Sequence, residues 1–294
     1  MIVNPASFSE RVNALGSRFD GLKLSCSPWL DNGCCFADLA TERSDWRTAI
    51  MRYEAERCPG LDAKGQVAFL IGDTAHYLLT AIAALYLGEG LVPSLAARDI
   101  ALVDYDVDWE EDGESGTYKA LEVQLFNTTC WAHAPRHLIC NAIPLPSQKA
   151  LRDNLRLQLE QLYHPLIEQL YRQHRLGKAA QWRLVADALA AAFLNVGRQL
   201  GHENSAREEA FALIRHPGSP LNNKQTGYFE VTVTDPEKPE TPVASQHFRA
   251  RGGCCRYYTS KAATYCSTCV LLPKTERDAR LQAYLQRQYE LGAV

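Results

Sequence analysis

Apolar positions that recur every three or four residues predict most of the secondary structure of this chain. Leucines keep this spacing throughout residues 147–175, which predicts a long helix, and Pro165 within it predicts a kink or a break. Residues 179–200 repeat the pattern, with Trp182 and Phe193 on one face. The same argument predicts three shorter helices, at Trp46–Arg57, Glu203–Ile214 and Glu276–Leu291.

The most apolar stretch is Val67–Leu87, part of a helix predicted over residues 65–88. Its longest run without Asp, Glu, Lys or Arg is Thr74–Gly88, which has fifteen residues. A membrane-spanning helix needs about 20 apolar residues. We therefore expect this helix to be buried in the core of the protein.

Strands are predicted where apolar and polar residues alternate. The alternation over Ile100–Trp109, an acidic loop and the β-rich Thr117–Phe126 together predict a hairpin. Two further strands are predicted at Tyr228–Thr234 and His247–Arg251, and residues 1–45 are expected to be irregular. The prediction is an α+β protein, with a mostly helical body, a small antiparallel sheet and a C-terminal cysteine-rich segment.

Composition and charge narrow the classes of function. The 294 residues carry a net charge of −3, so the strongly basic surface of a nucleic-acid-binding protein is not expected. The N-terminus lacks the basic and apolar regions of a secretory signal, which favours a cytoplasmic location. The chain has ten cysteines. In the reducing cytosol, cysteines serve more often as metal ligands or redox groups than as disulfides.

Common cofactor and catalytic motifs are absent from the sequence. No G-x-G-x-x-G follows a predicted strand and no G-x-x-x-x-G-K-[ST] occurs, so neither a dinucleotide nor a nucleotide phosphate has a recognisable binding loop. Neither G-x-S-x-G nor H-E-x-x-H is present. No protein side chain is therefore assigned as a catalytic residue.

The most informative segment, residues 251–269, has the pattern C-C-x10-C-x-x-C, formed by Cys254, Cys255, Cys266 and Cys269. A C-x-x-C turn places two thiolates on one side of the backbone, a spacing that metal sites use repeatedly. An adjacent pair can supply two ligands if the backbone bends sharply. Gly252 and Gly253 permit such a bend, and they also allow backbone N–H groups to approach the sulfur atoms.

Four interpretations of this pattern compete. Two structural disulfides are disfavoured by the expected cytosolic location. The interpretation that four free, buried thiols cluster within sixteen residues by chance is also disfavoured. Zinc and a 2Fe–2S cluster both accept four thiolates, and the spacing alone does not separate these two.

The cysteine pattern resembles the signature of the FhuF-type ferric-siderophore iron reductases. Arg256, Tyr257 and Tyr258 after the cysteine pair are also similar to the family, as is the short stretch Val270–Pro273. Weaker similarity extends the resemblance to residues 50–273. The resemblance implies an α+β body, a 2Fe–2S cluster bound by the four cysteines, and hydroxamate-type ferric siderophores as typical substrates.

The resemblance divides the chain into four parts. Residues 49–246 correspond to the siderophore reductase body, and residues 247–273 to the 2Fe–2S-binding segment. Residues 1–48 have no counterpart in the family and form an N-terminal extension of unknown role. Residues 274–294 form a C-terminal helical extension.

The expected function is the transfer of one electron from the cluster to Fe(III) in a siderophore, with release of Fe(II) in the cytosol. Because no dinucleotide fingerprint is present, the electrons are expected from an external donor of the ferredoxin or flavin-reductase type. No nucleic acid is expected as a partner, and contact with membranes is expected to be peripheral at most. Four basic residues near the cysteines are candidates for substrate binding: Arg249, Arg251, Arg256 and Lys261.

Two alternative functions remain open. One is an iron–sulfur electron-transfer protein that serves another reductase, and the other is a siderophore-binding module stabilised by zinc. The six cysteines outside the motif are not expected to bind the cluster: Cys26, Cys34, Cys35, Cys58, Cys130 and Cys140. Cys34 and Cys35 form a second adjacent pair, but no C-x-x-C lies near them.

Overall fold

The computed structural model describes residues 6–19, 21–27, 34–111, 113–133, 140, 142–235, 238, 240–262 and 264–290. The helices in this part of the chain are α1 (Phe8–Leu15), α2 (Phe36–Leu39), α3 (Asp45–Arg57), α4 (Ala63–Ala83), α5 (Gln148–His174), α6 (Lys178–Gln199), α7 (Glu203–Ile214) and α8 (Lys274–Glu290). Its strands are β1 (Leu24–Cys26), β2 (Cys34–Cys35), β3 (Val92–Pro93), β4 (Ile100–Glu111), β5 (Glu114–Leu125), β6 (Cys130–His133), β7 (Ile143–Leu145), β8 (Gly227–Thr234) and β9 (Pro242–Ala250).

The predicted α+β class is confirmed, since helices make up 51% and strands 20% of the structure. The strands form three small sheets, ordered β1–β5–β4–β2, β3–β6–β7 and β8–β9. The predicted hairpin is the centre of the first sheet, where β4 pairs antiparallel with β5 from Ile100↔Leu125 onward. Both strands extend into the predicted acidic loop, because ladder hydrogen bonds form between backbones whatever the polarity of the side chains.

The described part of residues 1–45 contains the helices α1 and α2 and the strands β1 and β2, so the expectation of an irregular segment is wrong there. α1 begins with a capping box, in which Ser7 and Glu10 satisfy each other's backbone N–H groups. Phe8 and Val12 of this helix are buried in the main core, and β1 pairs in parallel with β5. β1 is short and held by a distant strand, but α1 has a recognisable signal, since its capping box is combined with Phe8, Val12 and Leu15 at helical spacing.

The long helix α5 is not interrupted at Pro165, so the predicted break does not occur. Proline removes one backbone hydrogen bond from a helix interior. Leu162, Leu166 and Ile167, on either side of the proline, are almost completely buried in the core. Their burial keeps the two halves of the helix together.

The predicted core helix is α4, which continues into a π-helical turn at Ala84–Glu89. Among the described residues, this continuous helix, Ala63–Glu89, is the one whose length and hydropathy would suffice to cross a bilayer. Of its most apolar window, 67% is buried inside the protein, as expected for a core helix. Its less buried side carries Gly72, Asp73 and His76.

The β8–β9 ribbon positions the cysteine-rich segment. α6 packs against β9, and α8 packs across both strands of the ribbon. Val231, Leu281 and Leu285 form a small second core at this junction. β9 ends at Ala250, so the chain enters the cysteine segment directly from a strand that lies against α6.

Candidate metal centre

A buried carboxylate fixes the start of the cysteine segment. Asp187 on α6 is 1% exposed and accepts hydrogen bonds from the backbone N–H groups of Gly252 at 2.7 Å and Gly253 at 2.8 Å. Thr226 donates a third bond to the same carboxylate at 2.6 Å. The two glycine N–H groups therefore point to Asp187 and not to the sulfur atoms, which corrects the expectation from the sequence.

The two glycines are required because of close packing. A Cβ atom at Gly252 would lie 2.5 Å from the Thr226 hydroxyl, and one at Gly253 would lie 3.0 Å from the Leu184 side chain. Neither glycine has a positive φ; the left-handed residue of this segment is Arg256, with a φ of 62°. The expected bend therefore lies after the cysteine pair.

Arg256 also ties the segment to the start of α4. Its guanidinium pairs with the carboxylate of Asp62, which caps α4 by accepting from the Gly65 N–H at 2.7 Å. This ion pair lowers the pKa of Asp62. Nearby, the backbone N–H of Lys261 donates to the Pro59 carbonyl at 2.7 Å. These contacts place the cysteine pair against the α3–α4 junction.

The C-x-x-C residues form a tight turn, in which the Cys269 N–H donates to the Cys266 carbonyl at 2.9 Å. Cys269 is 7% exposed, and its Sγ accepts from the Leu271 N–H at 3.5 Å. At the first pair, the Cys254 Sγ accepts from the Arg256 N–H at 3.4 Å. These hydrogen bonds fix the orientation of both sulfur atoms.

Two of the four thiols line one cavity. Cys255 and Cys266 share a cavity of about 330 Å³ with Arg249 and Arg251, and we call this space the thiol cavity. Its other walls come from α4, α6 and Tyr257. Cys254 and Cys269 do not line the thiol cavity.

The charges in the thiol cavity favour an anionic sulfur at Cys266. Its Sγ accepts from the Arg251 guanidinium at 3.3 Å. The hydrogen bond from Cys255, together with the positive charge of Arg251, lowers the pKa of Cys266 to about 7 despite its burial. The same hydrogen bond and burial raise the pKa of Cys255. In this arrangement Cys255 is the proton donor and Cys266 the acceptor.

The two arginines are held inside the protein. Arg249 donates to the Asp187 carbonyl at 3.0 Å, and burial and the neighbouring Arg251 lower its pKa to about 10. The Nε atoms of Arg249 and Arg251 are buried and have no hydrogen-bond partner among the residues that the structure describes. Both side chains are partly buried, and the Arg251 Nε lies 4.0 Å from the Asp187 carboxylate. Partly buried cations with an N–H left without a hydrogen bond are suited to an anionic ligand.

The chemistry of the donor set fits a thiolate-bound group. Three of the four motif sulfur atoms accept an N–H hydrogen bond, and hydrogen bonds to sulfur are one way in which proteins adjust iron–sulfur centres. In the described ranges, no group of three or more His, Cys, Asp or Glu side chains is gathered as a site for a single metal ion. The type and sequence spacing of the four donors suit zinc and a 2Fe–2S cluster alike.

The predicted substrate residues fall into two groups. Arg249 and Arg251 line the thiol cavity. Arg256 instead pairs with Asp62, and Lys261 is exposed; neither lines the cavity.

The cysteines outside the motif lie in different surroundings. Burial raises the pKa of both Cys34 and Cys130 to about 12. The Sγ atoms of Cys130 and Cys140 are 3.6 Å apart. Cys58 is buried near the motif, where Cys255 is one of the charges that act on it. Their exclusion as cluster ligands stays a prediction.

Asp187, which holds the segment in place, belongs to none of the sequence motifs. One signal could have indicated its role, because it is the only polar residue in the stretch Leu184–Leu194. A lone carboxylate on an apolar helix has to find buried donors.

No protein-family model matches this chain, and no curated protein is significantly similar to it. The resemblance to the FhuF-type reductases stays a prediction from the cysteine pattern.

Proposed function

We propose that the protein is a cytoplasmic ferric-siderophore reductase, which transfers one electron to the Fe(III) of a siderophore chelate. The observation that carries this proposal is the thiol cavity, where Cys255 and Cys266 lie beside two partly buried arginines. Thiolates bind redox metals and arginines attract anions. A redox reaction on an anionic ligand needs both at one place.

The four motif cysteines would hold a 2Fe–2S cluster. Such a cluster supplies electrons one at a time, at a potential near −400 mV in plant-type ferredoxins. The chain's own residues set its surroundings: Arg251 places positive charge at the Cys266 sulfur, and Asp187 fixes the backbone ahead of the cysteine pair. The first effect stabilises negative charge on the Cys266 sulfur, and the second fixes the backbone that leads into the cysteine pair.

Arg249 and Arg251 would bind the chelate. Ferric chelates built on carboxylate or hydroxamate oxygens often carry negative charge, which attracts them to a cationic cavity. Inside the protein the attraction is stronger than in water, because the surroundings are less polar. The two side chains are held by the Asp187 carbonyl and the Cys266 sulfur, so they need little rearrangement when a ligand arrives.

The reaction balances with one external electron. Fe(III) in the chelate gains one electron and becomes Fe(II), which binds hard oxygen donors more weakly and dissociates, and the freed siderophore takes up protons from water. The reductant is a one-electron carrier protein or a reduced flavin, since the sequence has no dinucleotide-binding fingerprint.

Stopped-flow mixing tests the proposal. Dithionite-reduced holoprotein, freed of excess reductant, is mixed with a panel of ferric siderophores, and cluster reoxidation is followed together with Fe(II) appearance. We expect the two signals to match, and turnover to speed up when a ferrous-specific chelator removes the product. If no siderophore in a broad panel reoxidises the protein, the reductase proposal is wrong.

One observation favours the alternative of an electron-transfer protein. Several large apolar side chains near the cysteines are exposed: Tyr258 (37%), Tyr265 (39%), Val270 (41%) and Leu271 (50%). Exposed aromatic and aliphatic residues of this kind are typical of protein-docking surfaces. In the same stopped-flow experiment, rapid reoxidation by a redox protein but by no siderophore would select this alternative.

A further inference from the structure

A second cavity lies next to the thiol cavity. It has a volume of about 240 Å³ and is lined by Trp46 and Tyr53 of α3, Tyr77 of α4 and Leu121 of β5. These side chains make it an aromatic cavity, and we use that name for it. Asp73 of α4 belongs to the walls of both cavities.

The two cavities meet over the outward side of α4. Gly72, Asp73 and His76 face the thiol cavity, whereas Asp73 and Tyr77 face the aromatic cavity. Small-molecule sites usually enclose roughly 300–1,000 Å³. The aromatic cavity alone is smaller than this, but the two cavities together lie well within the range.

Gly72 lines the thiol cavity next to Asp73, the residue that both cavities share. It lies inside α4, where glycine destabilises a helix relative to alanine. A Cβ atom at Gly72 would meet no protein atom within 4 Å. By contrast, a Cβ at Gly65 would lie 2.5 Å from Leu61, and one at Gly197 would lie 2.3 Å from Ala206. Packing explains those two helical glycines, but it does not explain Gly72.

We propose that the two cavities form one binding groove across α4 at Gly72, and that its ligand is an anionic chelate carrying an apolar acyl or aromatic arm. The chelating end lies against Arg249 and Arg251, the backbone of Gly72 allows close approach, and the arm fills the aromatic cavity. The identity of the chelating end rests on the proposed function. The groove itself rests on the cavities and on Gly72.

Binding of gallium(III) chelates tests the groove without any redox step. Two hydroxamate chelates that differ only in an acyl chain are titrated into the holoprotein by calorimetry. We expect the acylated chelate to bind about tenfold tighter or more, since burial of two or three methylene groups suffices for that factor. Ala49→Phe, at an exposed position that lines the aromatic cavity, should remove the difference.

Gly72→Ala separates a ligand role from a structural one. The variant should unfold at a higher urea concentration than the wild type, because alanine favours the helix and meets no protein atom. It should nevertheless bind both chelates about tenfold more weakly, because the methyl group enters the groove. Gly177→Ala is the control, since that glycine also has open space around it and lies outside both cavities.

The outcomes distinguish the groove from the proposed function. If both chelates bind with the same affinity and Gly72→Ala changes neither, the groove proposal is wrong, while reduction of ferric chelates by the holoprotein would still support the reductase. If neither chelate binds and no ferric chelate is reduced, the proposed function fails, and this ligand class fails with it.

Discussion

The chain contains two adjacent cysteine pairs, and the structure gives their sulfur atoms different partners. The strand pair, Cys34 and Cys35, forms β2, and its thiols lie 3.1 and 3.2 Å from backbone carbonyls to which they donate. The loop pair, Cys254 and Cys255, follows two glycines, and the Cys254 sulfur accepts a hydrogen bond. Cys255 donates its thiol hydrogen, as the strand cysteines do, but its acceptor is the sulfur of Cys266 and not a backbone carbonyl.

Charge and backbone geometry explain the difference. The charged neighbours of the strand pair are Asp38 and Asp99, which raise the cysteine pKa values further after burial has done so. Arg251 has the opposite effect beside Cys266. Consecutive residues of a strand also point to opposite faces, so two strand cysteines do not converge on one metal. An identical dipeptide therefore has a different chemistry in each place.

Replacement of single cysteines should show the largest difference between the pairs. Serine at Cys254, Cys255, Cys266 or Cys269 removes a thiolate, and we expect each variant to lose most of its iron and visible absorption. The matched control is the double variant Cys34→Ser/Cys35→Ser, which should keep both. Iron and sulfide content per chain are the measurements. Loss of the cluster in the folded control variant would show that the assignment is wrong.

Cys34 should be alkylated about a thousandfold more slowly than an ordinary thiol. With a pKa of about 12, Cys34 is thiolate in roughly one molecule in 10⁴ at pH 8, far less than an ordinary thiol. The rate should rise with pH toward pH 12 as long as the protein stays folded. Iodoacetamide labelling followed by peptide mass spectrometry measures this. Labelling of Cys34 at the rate of a free thiol would contradict the buried, neutral state.

Removal of Asp187 should destabilise the protein at the backbone that precedes the loop pair. Asp187→Ala leaves the N–H groups of Gly252 and Gly253 and the Thr226 hydroxyl without their acceptor, which we expect to cost about 3 kcal/mol of unfolding free energy. Asp38→Ala, an exposed change beside the strand pair, should stay within about 0.5 kcal/mol of the wild type. Urea unfolding measures both. If Asp187→Ala and the wild type have equal unfolding free energies, Asp187 does not hold the cysteine segment in place.

Arg249 and Lys261 should differ in their effect on the rate at which a ferric chelate is reduced. Arg249→Gln takes a positive charge from the thiol cavity, and we expect an anionic ferric chelate to be reduced about tenfold more slowly. Lys261→Gln changes an exposed side chain outside the cavity, whose charge is screened over about 10 Å at 0.1 M salt, so its rate should change less than twofold. Similar slowing in both variants would indicate surface attraction without a defined cavity.

Much of the fold follows from local sequence patterns, but the cavity does not. α6, α7 and the β4–β5 hairpin could be predicted because their apolar periods are long. β1 and β2 could not, because they are two or three residues long and are held by distant strands. The motif cysteines are visible as a pattern. The roles of Arg249 and Arg256 are not, since one points into a cavity and the other to Asp62 only after β9 and α4 have packed.

Counting iron and sulfide in anaerobically purified protein, together with absorption and electron paramagnetic resonance spectra, tests the central claim most directly. The account predicts a red-brown protein with two irons and two sulfides per chain, and a paramagnetic signal that appears after reduction by one electron. A colourless preparation that contains one zinc per chain, made under iron-replete conditions, would contradict it.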